Sequence, residues 1–178
     1  MPNLISGPGI TEFFRDGFQH TAWRWETRRA YGVAHETEDL QRFLRGEPPV
    51  PGPARPWLLT MASLEEEGKR VERVRVIDEP PTDYQRWLLE DVADSVAAGE
   101  DIRYLPRAEA ERLEVPMRDF WLFDSRMIGL FHFDGDRSLG MELTDDPAAV
   151  LQGCQIRDAA WHYACPAHEL TGPVRSSM

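Results

Sequence analysis

Apolar positions along the chain change their period several times, and each change marks an element. From Thr11 to Phe18, the residues Phe13, Phe14 and Phe18 make the apolar face of a short helix. Ala22 to Tyr31 sets large aromatic against charged residues, Trp23 and Trp25 against Arg24 and Glu26, which predicts a strand. Glu36 to Arg45 reads as a helix with Leu40, Phe43 and Leu44 on one side. Prolines 48, 49, 51, 53 and 56 then continue neither a helix nor a sheet ladder, so 47–56 reads as a linker.

The core is expected over 57–170, with 11–46 as a helix–strand–helix embellishment, all in one domain spanning 1–178. Trp57 to Glu67 predicts a helix stopped by Gly68, and Lys69 to Ile77 a strand. Thr82-Asp83-Tyr84-Gln85 fits a capping box, in which a hydroxyl and an amide three residues on satisfy orphan backbone donors. The helix it opens carries Trp87, Leu88, Val92 and Val96 and ends at Gly99; Ile102 to Leu105 is the next strand. Such a βαβ unit implies parallel neighbouring strands. After a helical turn at Ala108–Leu113, Phe120–Phe123 suits a buried strand. Met127–Phe133 and Ser138–Leu143 form a strand pair about Asp134-Gly135. Asp145–Ala164 closes the fold as a helix with Val150, Leu151, Cys154, Trp161 and Cys165 on one stripe, so Trp161 is expected buried. The predicted class is α/β, with α+β as the alternative: a mixed sheet containing one parallel βαβ unit. One strand fits poorly. Arg73 and Arg75 alternate with Val74 and Val76, whereas a central parallel strand should be apolar on both faces. Either it is an edge strand, or one face is open or covers something polar.

Composition narrows the function classes. A chain of 178 residues with 42% hydrophobic side chains and six tryptophans can bury a real core. A net charge of −11 repels a phosphate backbone, which argues against direct nucleic-acid binding and favours a basic protein partner. Cys154 and Cys165 are too few for a disulfide framework. The first ten residues lack a signal-peptide pattern, and no apolar run nears the roughly 20 residues of a membrane helix. A cytoplasmic protein is expected.

Several strings carry a resemblance. They are Arg24-Trp25-Glu26, Val74-Arg75-Val76, Asp83-Tyr84, Gly99-Glu100-Asp101-Ile102-Arg103, Asp119-Phe120-Trp121-Leu122-Phe123-Asp124 and Arg157-Asp158-Ala159-Ala160-Trp161. Over about residues 13–170 the chain resembles an uncharacterised actinobacterial family of domains of unknown function, number six-eight-seven-nine. Genes of that family often lie beside those for helix-turn-helix regulators. A more distant resemblance, in the order of elements, is to half of a phospholipase-D-like domain. That superfamily uses a His, a Lys two residues later and an Asp five residues after the Lys. With the Asp aligned on Asp124, Met117 stands at the His and Asp119 at the Lys. A thioether does not attack phosphorus as an imidazole does, and a carboxylate repels the phosphate that the Lys should hold. The resemblance therefore implies a dead site, of the kind found in regulatory domains.

Candidate site residues follow from the strand ends. Asp119, Trp121 and Asp124 frame an apolar strand, either as a ligand rim or as a strand cap and a turn with Ser125. Arg103, Tyr104 and Arg107 follow the second parallel strand and suit an anion, although Arg103 can equally pair with Glu100 or Asp101. Arg157 and Trp161 are four apart on the last helix, so a guanidinium can lie on the indole, with Asp158 beside it. His132, Asp134 and Asp136 straddle a turn with too few oxygens for calcium, and Pro166 interrupts the set Cys154, His162, Cys165, His168. No metal and no cofactor is implied, and no catalytic residue is assigned. The expected function is a non-enzymatic regulatory or sensor protein acting through a protein partner, a helix-turn-helix regulator. The alternatives are an enzyme acting on a small anionic substrate near Arg103, Trp121 and Asp124, and a member of a toxin–antitoxin-like pair.

Overall fold

The computed structural model describes residues 3–52 and 55–170, so positions 53 and 54 of the proline-rich linker and both chain termini lie outside the described residues. In chain order the elements are β1 (Leu4–Ile5), α1 (Pro8–Asp16), β2 (Thr21–Glu26), α2 (Ala34–Leu44), α3 (Pro56–Glu66), β3 (Arg70–Ile77), α4 (Asp83–Ala97) and β4 (Glu100–Pro106). They continue with α5 (Arg107–Arg112), β5 (Phe120–Phe123), β6 (Met127–Asp134), β7 (Arg137–Thr144), α6 (Pro147–Tyr163), β8 (Cys165–Pro166) and α7 (Ala167–Leu170). The eight strands of the described residues join one mixed sheet in the order β1-β7-β6-β5-β2-β3-β4-β8.

The βαβ unit forms as its local signals require. Thr82 Oγ1 accepts from the Gln85 backbone N–H at 3.2 Å, while the Gln85 side-chain oxygen accepts from the Thr82 N–H at 3.0 Å. These bonds start α4. Gly68 and Gly99, at φ 78° and 99°, end α3 and α4 in the left-handed region where a side chain is strained. β3 and β4 are parallel in the register Val74 to Arg103, and β5 lies in the same sheet, antiparallel to β2.

The N-terminal segment is no embellishment. β2 lies between β5 and β3, parallel to β3, at the middle of the sheet. Its alternation looks half-exposed in sequence because Arg24 and Glu26 are charged, yet both are buried, each offset by opposite charges from neighbouring elements.

Pleating assigns one face of the sheet to Trp23, Trp25, Val74, Val76, Leu105, Phe120 and Leu122, covered by α5 and α6. The opposite face carries Val71, Trp121, Phe123 and Met141 under α1 and α3, where Phe14 and Met61 are fully enclosed. The stripe expected on α6 needs correction. Gly153, Ile156 and Ala160 form the buried line, and Leu151 is 60% exposed. A Cβ on Gly153 would stand 2.5 Å from Ile128 Cδ1, so small residues let the helix close on the sheet. The bulky Val150, Cys154 and Trp161 flank that line, which leaves Trp161 half-buried rather than enclosed.

Candidate functional site

At the centre of the second face, the parallel strands present charge where a core would be apolar. The register sets Arg24 beside Arg73 and Glu26 beside Arg75, with Tyr104 next across the sheet. Glu26 accepts from Arg73 through one oxygen and from Arg75 Nε at 2.7 Å through the other. Arg73 also donates to Glu100 Oε1 at 2.7 Å, and Trp57 Nε1 to Glu100 Oε2 at 3.2 Å. Arg24 Nη2 donates to Asp119 Oδ2 at 3.0 Å. The Asp119 carboxylate accepts further from Thr27 N at 2.9 Å, Thr27 Oγ1 at 2.7 Å and the Tyr31 hydroxyl. Three guanidinium groups thus face three carboxylates, and the Arg24 guanidinium also lies over Phe131 at 4.0 Å.

The electrostatics follow from that pairing. Burial alone would raise the Glu26 pKa, but Arg73, Arg75 and Arg24 outweigh it and hold the carboxyl at about 2. Burial pulls the Arg73 and Arg75 guanidinium pKa values down, and the facing carboxylates more than reverse this. Burial, with Glu26 and Asp119 adding to it, pushes Tyr31 well above its ordinary value, so its hydroxyl stays a donor. A cavity of about 210 Å³ opens beside the network, with Arg24, Glu26, Tyr31, Arg75 and Phe133 in its wall. It lies at the carboxyl ends of β2 and β3.

The structure separates the residues singled out from the sequence. Asp119 and Trp121 sit within or against the network, and Tyr104 reaches Arg75 across 3.4 Å through its hydroxyl. Arg107 flanks the same end, donating to Asp78 at 2.7 Å and to the Thr27 carbonyl at 3.0 Å. Asp124 lies at the other end of β5. Its carboxylate accepts from the backbone N–H of Gln19, His20 and Thr21 at 2.7, 2.7 and 2.9 Å. Asp124 and Ser125, both at positive φ, form the tight turn into β6, closed by Arg126 N donating to Phe123 O. The single rim over Asp119 and Asp124 is therefore corrected: a four-residue strand holds the two apart.

Arg103 faces the opposite side of the sheet from Tyr104, pairs with Asp101 and lies over the Trp161 indole at 3.8 Å. The common anion site for Arg103, Tyr104 and Arg107 is thus divided, because adjacent strand positions alternate faces. Arg157 bonds Asp158 at 3.0 Å and Ser125 Oγ at 2.6 Å, so the cation covering Trp161 is Arg103 rather than Arg157. His132 pairs with Glu142, Asp134 with Arg137 and Asp136 with Arg28, so these three do not converge.

Sequence reasoning missed Arg24, Glu26, Arg73 and Arg75 as one constellation. Its signal was the apolar–charged alternation on two separate segments, and the third option stated for β3, a face covering something polar, is the one that forms.

Residues 8–171 match the family described as a domain of unknown function, DUF6879. No curated protein matches the chain. Among solved structures, the crystal structure of a phospholipase D family member, Nuc from Salmonella typhimurium, is similar at a TM-score of 0.50 and 10% identity, over 91% of each chain. At that identity the likeness concerns the fold: a mixed α/β architecture shared with a phospholipase D family member. Since the family match takes in nearly the whole length, the chain belongs to the DUF6879 family of domains of unknown function.

Proposed function

We propose that this chain is a non-enzymatic regulatory or sensor domain that acts through a protein partner, a helix-turn-helix regulator. One observation carries the non-enzymatic part. Asp119, which stands where a phospholipase-D-like site would need its Lys, is 3% exposed and fully engaged by Arg24, Thr27 and Tyr31. Its lone pairs hold the sheet together, and its charge opposes a phosphate. Nearby, a Glu26 held ionised down to about pH 2 is a poor proton donor at neutral pH. Met117, at the His position, is 40% exposed and outside the network.

The partner rests on chemistry of another kind. A net charge of −11 attracts a basic surface and repels nucleic acid. Glu38, Asp39, Glu65 and Glu66 are exposed and open to such a contact, beside Glu67, which pairs with Lys69. Masking a regulator's DNA-binding face is the action this supports. The enzyme alternative needs Arg103, Trp121 and Asp124 together, and they occupy opposite faces and ends of the sheet.

The test is co-purification with the helix-turn-helix regulators of the same genome, at low and high salt, with a DNA-shift assay of this chain alone. Salt-sensitive association without DNA binding is expected. Association at no salt concentration, or strong DNA binding by the chain itself, overturns the partner. Phosphodiesterase turnover above blank that Asp124→Asn abolishes overturns the absence of catalysis.

A further inference from the structure

At the amino ends of β2 and β3 the first face of the sheet opens into a groove of about 590 Å³. That volume falls within the roughly 300–1,000 Å³ of small-molecule sites, which the cavity at the carboxyl ends does not reach. Trp23 and Glu72, neighbours in the β2–β3 register, line it together with Arg70, and α6 contributes Arg157 and Trp161.

Two charged groups here have no contacting partner among the described residues, and a buried donor lies beneath them. The Trp23 indole is 1% exposed, and its Nε1–H donates to nothing among the described residues. A buried donor left so costs about 1–3 kcal/mol. Neither the half-buried Glu72 carboxylate nor the exposed Arg70 guanidinium has a side-chain hydrogen bond or a close ion pair among the described residues. The other ions around the groove are spent: Arg157 on Asp158 and Ser125, Arg103 on Asp101 and the Trp161 ring.

We propose that this groove binds a small zwitterion, an α-amino acid or a compact relative, with its ammonium on Glu72 and its carboxylate on Arg70. The unmet groups open to a ligand are one anion and one cation, two residues apart on one face of β3. A simple anion would satisfy Arg70 but be repelled by Glu72. A simple cation would satisfy Glu72 but meet Arg70. Only a ligand carrying both charges answers both. Burial raises the Glu72 pKa, Asp101 adds to this, and Arg70, Arg103 and Arg157 act against it; this is the condition of a desolvated carboxylate that lacks a contacting cation. The half-buried Trp161 offers an apolar wall to the ligand's side chain.

The test is calorimetric titration of the full chain, alone and at neutral pH, with each of the twenty protein amino acids. The N-acetyl and the amide derivatives of whichever binds are titrated next. At least one free amino acid should bind saturably, and both derivatives should bind at least about tenfold more weakly, each having lost one charged contact. Glu72→Gln and Arg70→Ala should each weaken binding by a similar factor while melting no lower than the unaltered chain; Arg70 is exposed, so its variant keeps the fold. Equal affinity for the N-acetyl form would make this an anion site, and equal affinity for the amide a cation site. Either result overturns the proposal, as does binding indifferent to both substitutions or no binding by any of the twenty. Because the chain is titrated by itself, failure here leaves the partner reading standing, and the reverse holds too.

Discussion

The two ends of the parallel strands hold similar side chains in opposite conditions. Toward the carboxyl ends, Arg24, Arg73 and Arg75 meet Glu26 and Asp119 out of water, with Glu100 at the start of β4 holding Arg73 from the other side, and each carboxylate is contacted by a guanidinium. At the amino ends, Arg70 and Glu72 share one strand, face an open groove and touch no opposite charge among the described residues. A count of charged residues would rank the first region as the functional one. Pairing reverses that order. Charges paired with one another stiffen a fold, even where single N–H groups such as Arg24 Nη1 and Arg73 Nε stay buried without a partner, whereas charges that face open space without a contacting partner are what a ligand can complete.

The sharpest way to break this contrast is to remove one carboxylate from the paired end. Asp119→Ala takes the buried acceptor from Arg24, Thr27 and Tyr31, leaving Arg24 only its 3.7 Å approach to Glu26, and should lower unfolding free energy by about 3–5 kcal/mol in urea titration. A loss below about 1 kcal/mol would show that the network is not structural.

Acid should separate the two ends by sign. Glu26 has a folded pKa of about 2 against 4.5 when unfolded, so its contribution is fully present above pH 4.5 and disappears as pH falls toward 2. It amounts to about 3 kcal/mol, and Glu26→Gln should flatten this part of the acid-unfolding curve. Glu72 has a raised pKa, so its ionisation opposes folding as pH rises through its unfolded value. Glu72→Gln should therefore leave the protein slightly more stable at neutral pH. Thermal melts of the two variants from pH 2 to 7 check both signs, and parallel curves would erase the distinction.

A smaller effect is expected from Trp161→Ala, about 1–2 kcal/mol, since the indole is half-buried beneath Arg103 instead of enclosed. The smallest concerns the surface. Glu66→Lys should change stability by less than about 0.5 kcal/mol while weakening the proposed regulator contact, measured as retained complex at low salt.

What the sequence revealed depended on the range of the interaction. The capping box at Thr82 and the stop at Gly68 are local, and each forms where its residues predict; the hairpin turn forms one residue beyond the expected Asp134-Gly135, at Gly135-Asp136 between the paired Asp134 and Arg137. β2 at the middle of the sheet depends on Trp23 meeting Leu122 across the chain, which no local pattern encodes. The network was hidden for a related reason. Alternating charge on a strand ordinarily marks a solvent face, and only pairing among β2, β3, β4 and Asp119 turns it inward. On α6, the eye follows bulky residues, but close approach selected the small ones at Gly153 and Ala160.

The outer borders of the sheet carry a practical consequence. β1 and β8 are two residues each, yet they occupy the two lateral positions, beside β7 and β4. An unpaired border is a template for other chains, and short terminal strands blunt it. Residues 8–171, the span of the family match, omit Leu4 and Ile5 and with them the strip that covers Met141 and Glu142. A chain trimmed to that span should fold around the same interior but self-associate through β7, so concentration-dependent light scattering should distinguish it from the longer chain while their circular dichroism agrees.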